Sequence, residues 1–160
     1  CPLRVDVVVH SSDGVKFGAH TANLLKYSDA FPGTEPPDAH GPAGGAVIRL
    51  AEAADVVRVL LRFVHGGRQP ALSALDVDTL SALAAAVERY QVYSAVELCK
   101  AHMSLILDAH PVDVFVYAAK HAHAELASKA AQRTLTTDSA ELVAKATKAH
   151  LAPALIVDWV

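Results

Sequence analysis

Histidine and cysteine are the side chains in this sequence with the strongest metal-binding chemistry, and the chain has nine of the first and two of the second. Cys99 and His102 are three residues apart and would share one face of a helix, whereas His121 and His123 are two apart and would not. A zinc site needs four converging ligands, or three and a water molecule, and the sequence offers no second paired motif. The pattern therefore favours a buried Cys99 and scattered surface histidines over a metal site.

Asp6 and His20 are polar residues near the ends of predicted secondary-structure elements, and each has a structural as well as a binding interpretation. Asp6 is most simply a carboxylate that fixes the end of a strand, and His20 a structural residue at the start of a helix. The sequence has neither a glycine-rich phosphate loop nor a serine-centred nucleophile motif. We therefore expect neither a cofactor nor enzymatic activity. A small hydrolase or metalloprotein is the alternative from another functional class.

The composition of the chain excludes several further classes of protein. Its 160 residues are 52% hydrophobic and 19% charged, which is enough to bury a core. The net charge is −3 and the basic residues form no stripe, so we expect no nucleic-acid partner. No apolar run reaches the roughly 18 residues of a membrane helix, so we expect no membrane association. Cys1 and Cys99 make no disulfide framework, which indicates a cytoplasmic or nuclear location.

Hydrophobic patterning predicts a β-hairpin near the start of the chain. Residues 5–10 are β-branched and nearly continuous, which predicts a strand buried on most of its surface. Ser11–Gly14 is a turn-forming segment, and Gly14 can take a positive φ. Residues 15–19 then alternate between apolar and polar or small side chains, as a second strand would.

Two short helical segments, a loop and a third strand are predicted next. From His20 the hydrophobic period becomes that of a helix over residues 22–27, with a further helical turn at residues 28–31. Residues 33–46 are rich in glycine and proline, which predicts a flexible loop. Residues 47–50 are the candidate third strand.

The rest of the sequence has helical periodicity only. Gly66-Gly67 is predicted to end the first of these helices, because glycine accepts the left-handed conformation at a helix C-terminus. Ser94 and Glu97 have the spacing of a capping box, and Pro111 suits the first turn of a later helix. The predicted helices span residues 55–65, 76–90, 125–133 and 140–150, with two more that begin near Ser94 and at Pro111.

These elements predict an α+β fold. Three strands form a small sheet with one hydrophobic face, and helices packed on that face would cover it. We expect a small three-stranded sheet capped by a helical cluster over residues 1–108, followed by additional helices over residues 109–160. The chain opens on Cys1-Pro2 and enters a strand-like segment almost at once, which indicates a piece of a longer protein.

The order of these elements, with their particular residues, resembles the BTB/POZ family. That family opens with an Asp-led apolar strand, then a strand ending in a histidine that starts a helix, then Ser-x-x-Phe. The matching segments here are 6–9, 17–20 and 28–31. The stretch from Ala86 through Ser94 to Cys99 is similar to the version in fungal BTB proteins, as is the segment Arg68–Leu72. The helices after residue 108 resemble the extension that often follows a BTB core.

The resemblance implies a protein–protein interaction module, an adaptor or scaffold that forms a homodimer through the helix at residues 22–27. The alternative is a substrate receptor for a cullin-type ubiquitin ligase. Two departures leave the partner open. Thr21 stands where repressor-type members have an arginine that pairs with the strand aspartate. Gly33-Thr34-Glu35 lacks the hydrophobic residue that cullin-binding members place two positions before the glutamate.

A set of candidate contact residues follows from the resemblance and from one positive strip. Arg58, Arg62 and His65 lie on one face of the predicted helix at residues 55–65, and a solvated face is its simplest interpretation. If an acidic partner binds, this strip is a candidate surface. The candidate contact residues are Asp6, His20, Thr21, Leu24, Leu25, Tyr27, Arg58 and Arg62.

Overall fold

A three-stranded sheet and seven α-helices are present in the computed structural model, which describes residues 4–32, 46–135 and 139–151. The predicted α+β class is confirmed. The elements are β1 (Val7–His10), β2 (Lys16–Ala19), α1 (Thr21–Tyr27), β3 (Ala46–Arg49), α2 (Ala54–Phe63), α3 (Val77–Arg89), α4 (Tyr93–Leu105), α5 (Pro111–Lys120), α6 (Ala124–Thr134) and α7 (Ser139–Lys148), with a short 3₁₀ turn at Leu72–Ala74.

The chain divides into two compact units within α4, between Leu98 and Cys99. The first unit contains the sheet with α1, α2 and α3, and the second contains α5, α6 and α7. The division at residues 108 and 109 stays a prediction. Of the predicted loop at residues 33–46, only Ala46 belongs to the described residues.

The sheet has the strand order β2-β1-β3, with β1 in the centre. β1 and β2 form the predicted antiparallel hairpin, and Gly14 in its turn has a φ of 84°. β1 and β3 are parallel, with Val9 opposite Ile48. The first strand is shorter than predicted, because Val5 and Asp6 are exposed residues that precede β1.

The inner face of the sheet forms part of the core of the first unit. Val7 and Val9 alternate with the half-buried Val8 and His10 along β1, so one face of this strand is buried and not most of its surface. The helices contribute further large apolar side chains. The most deeply buried of these are Leu24 of α1, Val57, Leu60 and Phe63 of α2, and Leu80, Leu83 and Val87 of α3.

The second helical turn predicted at residues 28–31 is wrong. Ser28 has extended backbone angles, and the chain only bends at the next two residues. The Ser28 hydroxyl donates a hydrogen bond to the Tyr90 carbonyl, which also accepts one from the Ala30 amide at 3.3 Å. The main-chain groups of this segment therefore bond to the turn after α3 and not to one another.

A carboxylate from the β1–β2 turn caps α2. Both oxygens of Asp13 accept hydrogen bonds from the Ala54 amide, at 3.1 and 3.2 Å, and the Ser11 hydroxyl donates to Oδ1. An N-terminal amide of a helix has no partner within the helix, so an acceptor from elsewhere satisfies it. Hydrogen bonds from Ser11 and from the Ala54 amide lower the pKa of Asp13 below its usual value of 3.8.

We expect Asp13→Asn to weaken the acid dependence of stability. Because the folded state lowers the pKa of Asp13, its ionised form stabilises the fold above pH 3.8, and this contribution disappears as the pH falls through the lower folded value. The free energies of unfolding of wild type and Asp13→Asn, measured in urea at pH 7 and near pH 3, should therefore differ at neutral pH and converge in acid. An equal difference at both pH values would contradict this account. The other carboxylates are common to both proteins and cancel in the comparison.

Helix boundaries agree with the sequence at some positions and differ at others. α3 begins after Asp76, whose carboxylate accepts from the Thr79 amide at 2.8 Å. α2 ends at Phe63, before the glycine pair, and only Gly67 of that pair has a positive φ. The capping box predicted at Ser94 is wrong, because α4 already begins at Tyr93 and places Ser94 inside its first turn.

The second unit is a set of packed helices in which α5 contacts both α6 and α7. Pro111 occupies the start of α5, as predicted. Lys145 of α7 donates to Asp113 of α5 at 2.7 Å and pairs with Glu141 at 3.1 Å. Burial would lower the pKa of Lys145, but these two carboxylates outweigh it and raise the pKa.

No helix among the described residues combines the length and the apolar character that crossing a bilayer requires. The longest, α3 and α4, have 13 residues each. A membrane-spanning helix needs about 20 residues.

Candidate protein-interaction surface

Two adjacent leucines of α1 have opposite environments. Leu24 is 1% exposed and belongs to the core, whereas Leu25 is 55% exposed. Ala22 and Lys26, three positions before and one after Leu25, are exposed as well. Leu25 is thus a candidate contact residue, since an amphipathic helix can present its apolar side chains to a partner protein. Of the two predicted contact leucines, only Leu25 is accessible, and Leu24 instead anchors the helix.

The chain segment before β1 fixes the start of α1. The Asp6 carboxylate accepts from the Thr21 amide at 2.8 Å and from the Thr21 hydroxyl at 3.2 Å. The His20 ring, which is buried, makes a hydrogen bond of 2.9 Å between Nδ1 and the Arg4 carbonyl oxygen. Both polar residues therefore have partners within the chain, as their structural interpretation expects. Thr21 is thus the residue that pairs with the Asp6 carboxylate.

Val5 lies on the outer side of the sheet, beside the segment that leads into α1. The two methyl carbons of Val5 lie 3.1 Å from the position that a Cβ on Gly18 would occupy. Because Gly18 has no side chain, Val5 has room to pack over it. Val5 is nevertheless 51% exposed. Sequence reasoning missed Val5 as a surface residue, because a valine in a β-branched run is typical of a buried strand.

A small pocket lies between α1 and the end of α2. His20, Asn23 and His65 supply its polar lining, and the rings of the two histidines have centroids 5.2 Å apart. The pocket encloses about 20 Å³, which is room for one water molecule. Small-molecule sites are typically some 300 Å³ or more, so this pocket does not fit a metabolite-sized substrate.

The predicted positive strip on α2 is exposed but has mixed charge. Arg58 and Arg62 are both exposed, and His65 is half-buried beyond the helix end. Asp55 is exposed on the same face, one turn before Arg58. Tyr27, the remaining predicted contact residue, is half-buried at the end of α1 with the Lys26 ammonium 5.2 Å from its ring centre. The structure therefore places Asp6, Thr21 and Leu25 around the start and outer face of α1, and the two arginines on α2.

A hydrogen-bonded group centred on Glu52 joins the segment before α2 to the end of α3. The Glu52 carboxylate accepts from Arg89 Nη1 at 2.8 Å and from the Tyr90 hydroxyl at 2.6 Å. Only 8% of the Glu52 side chain is exposed, against 51% for Arg89. Burial, together with the bond to Glu52, raises the pKa of Tyr90 above its usual value of 10.0. This hydrogen-bonded group stabilises the fold and is not part of the candidate surface. It was not predicted, because the spacing of residues 52 and 90 in the sequence does not indicate a contact between them.

Within residues 4–32, 46–135 and 139–151, no group of three or more histidine, cysteine or acidic side chains is placed to hold a metal ion. Cys99 is buried. The Gly33–Glu35 segment, which bears on cullin binding, lies outside the described residues. No protein-family model matches this chain, and no curated protein is significantly similar to it in sequence.

Proposed function

We propose that the chain is a protein-interaction module that self-associates through the exposed side of α1. The observation that carries the proposal is the exposed Leu25 on a helix held firmly by the buried Leu24. Asp6 fixes the helix start, so the exposed leucine is presented on a positioned element. A contact residue that is already ordered loses little conformational freedom on binding, which favours association.

A two-fold dimer is the form of self-association that this surface suits. In a two-fold contact the same patch meets itself, so a small apolar stripe flanked by few charges is self-complementary. Ala22 and Leu25 form such a stripe, and Lys26 at its margin stays in solvent. The resemblance of residues 6–9, 17–20 and 28–31 to BTB/POZ motifs supports the same surface, since that family dimerises through this helix.

Leu25→Lys is expected to convert the protein from dimer to monomer. Burying a lysine ammonium at the centre of the contact would weaken association by about 2 kcal/mol or more, roughly thirtyfold in the dissociation constant. Light scattering coupled to gel filtration at tens of micromolar measures the change. Leu98→Lys is the matched control, because Leu98 is another exposed helical leucine of the first unit. A wild-type protein that is strictly monomeric, or a Leu98→Lys effect as large as that of Leu25→Lys, would refute the proposal.

A further inference from the structure

Two rows of side chains cross the outer face of the sheet. The strand register aligns Lys16, His10 and Arg49 in one row, from β2 through β1 to β3. The neighbouring row consists of Gly18, Val8 and Val47. Both rows lie opposite the core, because Val7 and Val9 of β1 point inward and alternate residues point to opposite faces. One row is therefore basic and the other apolar.

The basic row is free of acidic neighbours within the sheet. Lys16 and Arg49 are exposed and His10 is half-buried, and neither row contains a carboxylate. In the part of the chain that the structure describes, none of the three forms an ion pair. In its lack of carboxylates the basic row differs from the strip on α2, where Asp55 lies one turn before Arg58. On a protein of net charge −3, the row is a local concentration of positive charge.

The apolar row is also accessible to a partner. Val47 at the sheet edge is 49% exposed, and Val5 covers Gly18 while remaining exposed itself. The apolar surface thus runs from Val5 through Val8 to Val47 across all three strands. A solvated sheet face usually carries polar side chains in these positions. Val5 and Val47, at the two ends of the row, are therefore apolar side chains that the core does not use.

We propose that this outer face binds an amphipathic helix of a partner protein, one whose apolar stripe is flanked by carboxylates. The two rows are two residues apart along the strands, or about 7 Å, and the sheet is about 10 Å wide. Two turns of a helix crossing the strands are about 11 Å long, which matches the width of the sheet, and such a helix can present an apolar and an acidic stripe side by side. The apolar stripe lies on Val5, Val8 and Val47, and the acidic stripe faces Lys16, His10 and Arg49.

The apolar row is what favours an acidic protein helix over a nucleic acid. A phosphate backbone would pair with Lys16 and Arg49 but would leave the valines without a partner. The face is smaller than a standard interface, so binding is weak and salt-dependent, with fast exchange. It is separate from the α1 contact, and the Leu25→Lys monomer should bind the same helix with unchanged affinity.

The test is an NMR titration of the full 160-residue chain, uniformly labelled with ¹⁵N, with a synthetic helical peptide. The peptide has about 18 residues, with leucine and alanine on one stripe and glutamate on the next. Shift changes should concentrate at the two rows. Lys16→Glu combined with Arg49→Glu should weaken binding at least about tenfold, as should raising NaCl from about 50 to about 500 mM.

Arg58→Glu combined with Arg62→Glu is the matched control, because it changes the net charge equally on the other basic surface. It should leave the affinity within about twofold. Val47→Ser, which keeps all charges, should weaken binding several-fold and so tests the apolar row by itself. Circular dichroism verifies that each variant is folded. Equal binding of a peptide with lysine in place of glutamate would overturn the proposal, as would loss of binding in the α2 variant or stronger binding of a short DNA duplex at the same rows.

Discussion

Leu24→Ala is expected to lower the free energy of unfolding by about 2–5 kcal/mol, the range for removing a fully buried leucine side chain. Leu24 is 1% exposed, and its removal leaves a cavity between α1 and the rest of the first unit. The neighbouring Leu25→Ala should change the stability of the monomer by less than about 0.5 kcal/mol, since more than half of Leu25 is exposed. Alanine substitution of these two adjacent leucines is thus predicted to lower the free energy of unfolding by amounts that differ severalfold.

Urea denaturation at several protein concentrations measures both effects. A dimer is more stable at higher concentration, so Leu25→Ala should reduce only the concentration-dependent part of the stability. Leu24→Ala should lower the stability equally at all concentrations. If the two substitutions have equal effects at the lowest concentration, α1 is not packed as described. If Leu25→Ala leaves the concentration dependence intact, α1 is not the contact.

Removal of the Glu52 carboxylate should have the second large effect. Glu52→Ala leaves the Tyr90 hydroxyl without its acceptor, and hydrogen bonds to charged groups contribute about 1.5–3 kcal/mol each. The Arg89 pair should add less than about 1 kcal/mol, because Arg89 is half-exposed and water screens it. We therefore expect Glu52→Ala to cost more than Tyr90→Phe, and Arg89→Gln to cost the least of the three.

A double-mutant cycle isolates the Glu52–Tyr90 pair. Glu52→Ala and Tyr90→Phe should be less costly together than the sum of their separate effects, with a coupling of about 1 kcal/mol. Strictly additive effects would show that the pair contributes nothing.

The ionisation of Tyr90 gives an independent readout of the same pair. Burial and the Glu52 carboxylate raise the pKa of Tyr90 above 10.0, so its protonated form stabilises the fold below pH 10 and that stability is lost as the pH rises through the folded value. Glu52→Gln removes one cause of the raised pKa. It should therefore move the Tyr90 transition, followed by tyrosinate absorbance against Tyr90→Phe, to lower pH.

Local signals in the sequence were sufficient for most of the elements. Alternation and a turn glycine predicted the hairpin around Gly14, and helical periodicity predicted α2 and α3. Pro111 marked a helix start because proline suits a position where the amide has no helical partner. The candidate surface was predicted at α1, but without a distinction between Leu24 and Leu25.

The parts that sequence reasoning missed depend on residues far apart in the chain. The Ser28 hydroxyl bonds to the Tyr90 carbonyl, which prevents the helical turn that local composition favours. Asp13 caps α2 from another element, and no motif of adjacent residues announces such a cap. The two rows on the sheet exist only through the register of β1 with β2 and β3, which a one-residue slip would destroy.

The two strands that pair with β1 lie at different distances from it along the sequence. β2 follows β1 after a short turn, whereas the parallel partner β3 arrives only after α1 and a long intervening segment. Pairing residues that are farther apart along the chain costs more loop-closure entropy, so we expect β3 to join β1 after β2 does. A ligand that touches all three strands would therefore recognise only the finished domain. Binding of such a ligand would require that all three strands are paired. By mass action it would also stabilise the pairing of β3 with β1.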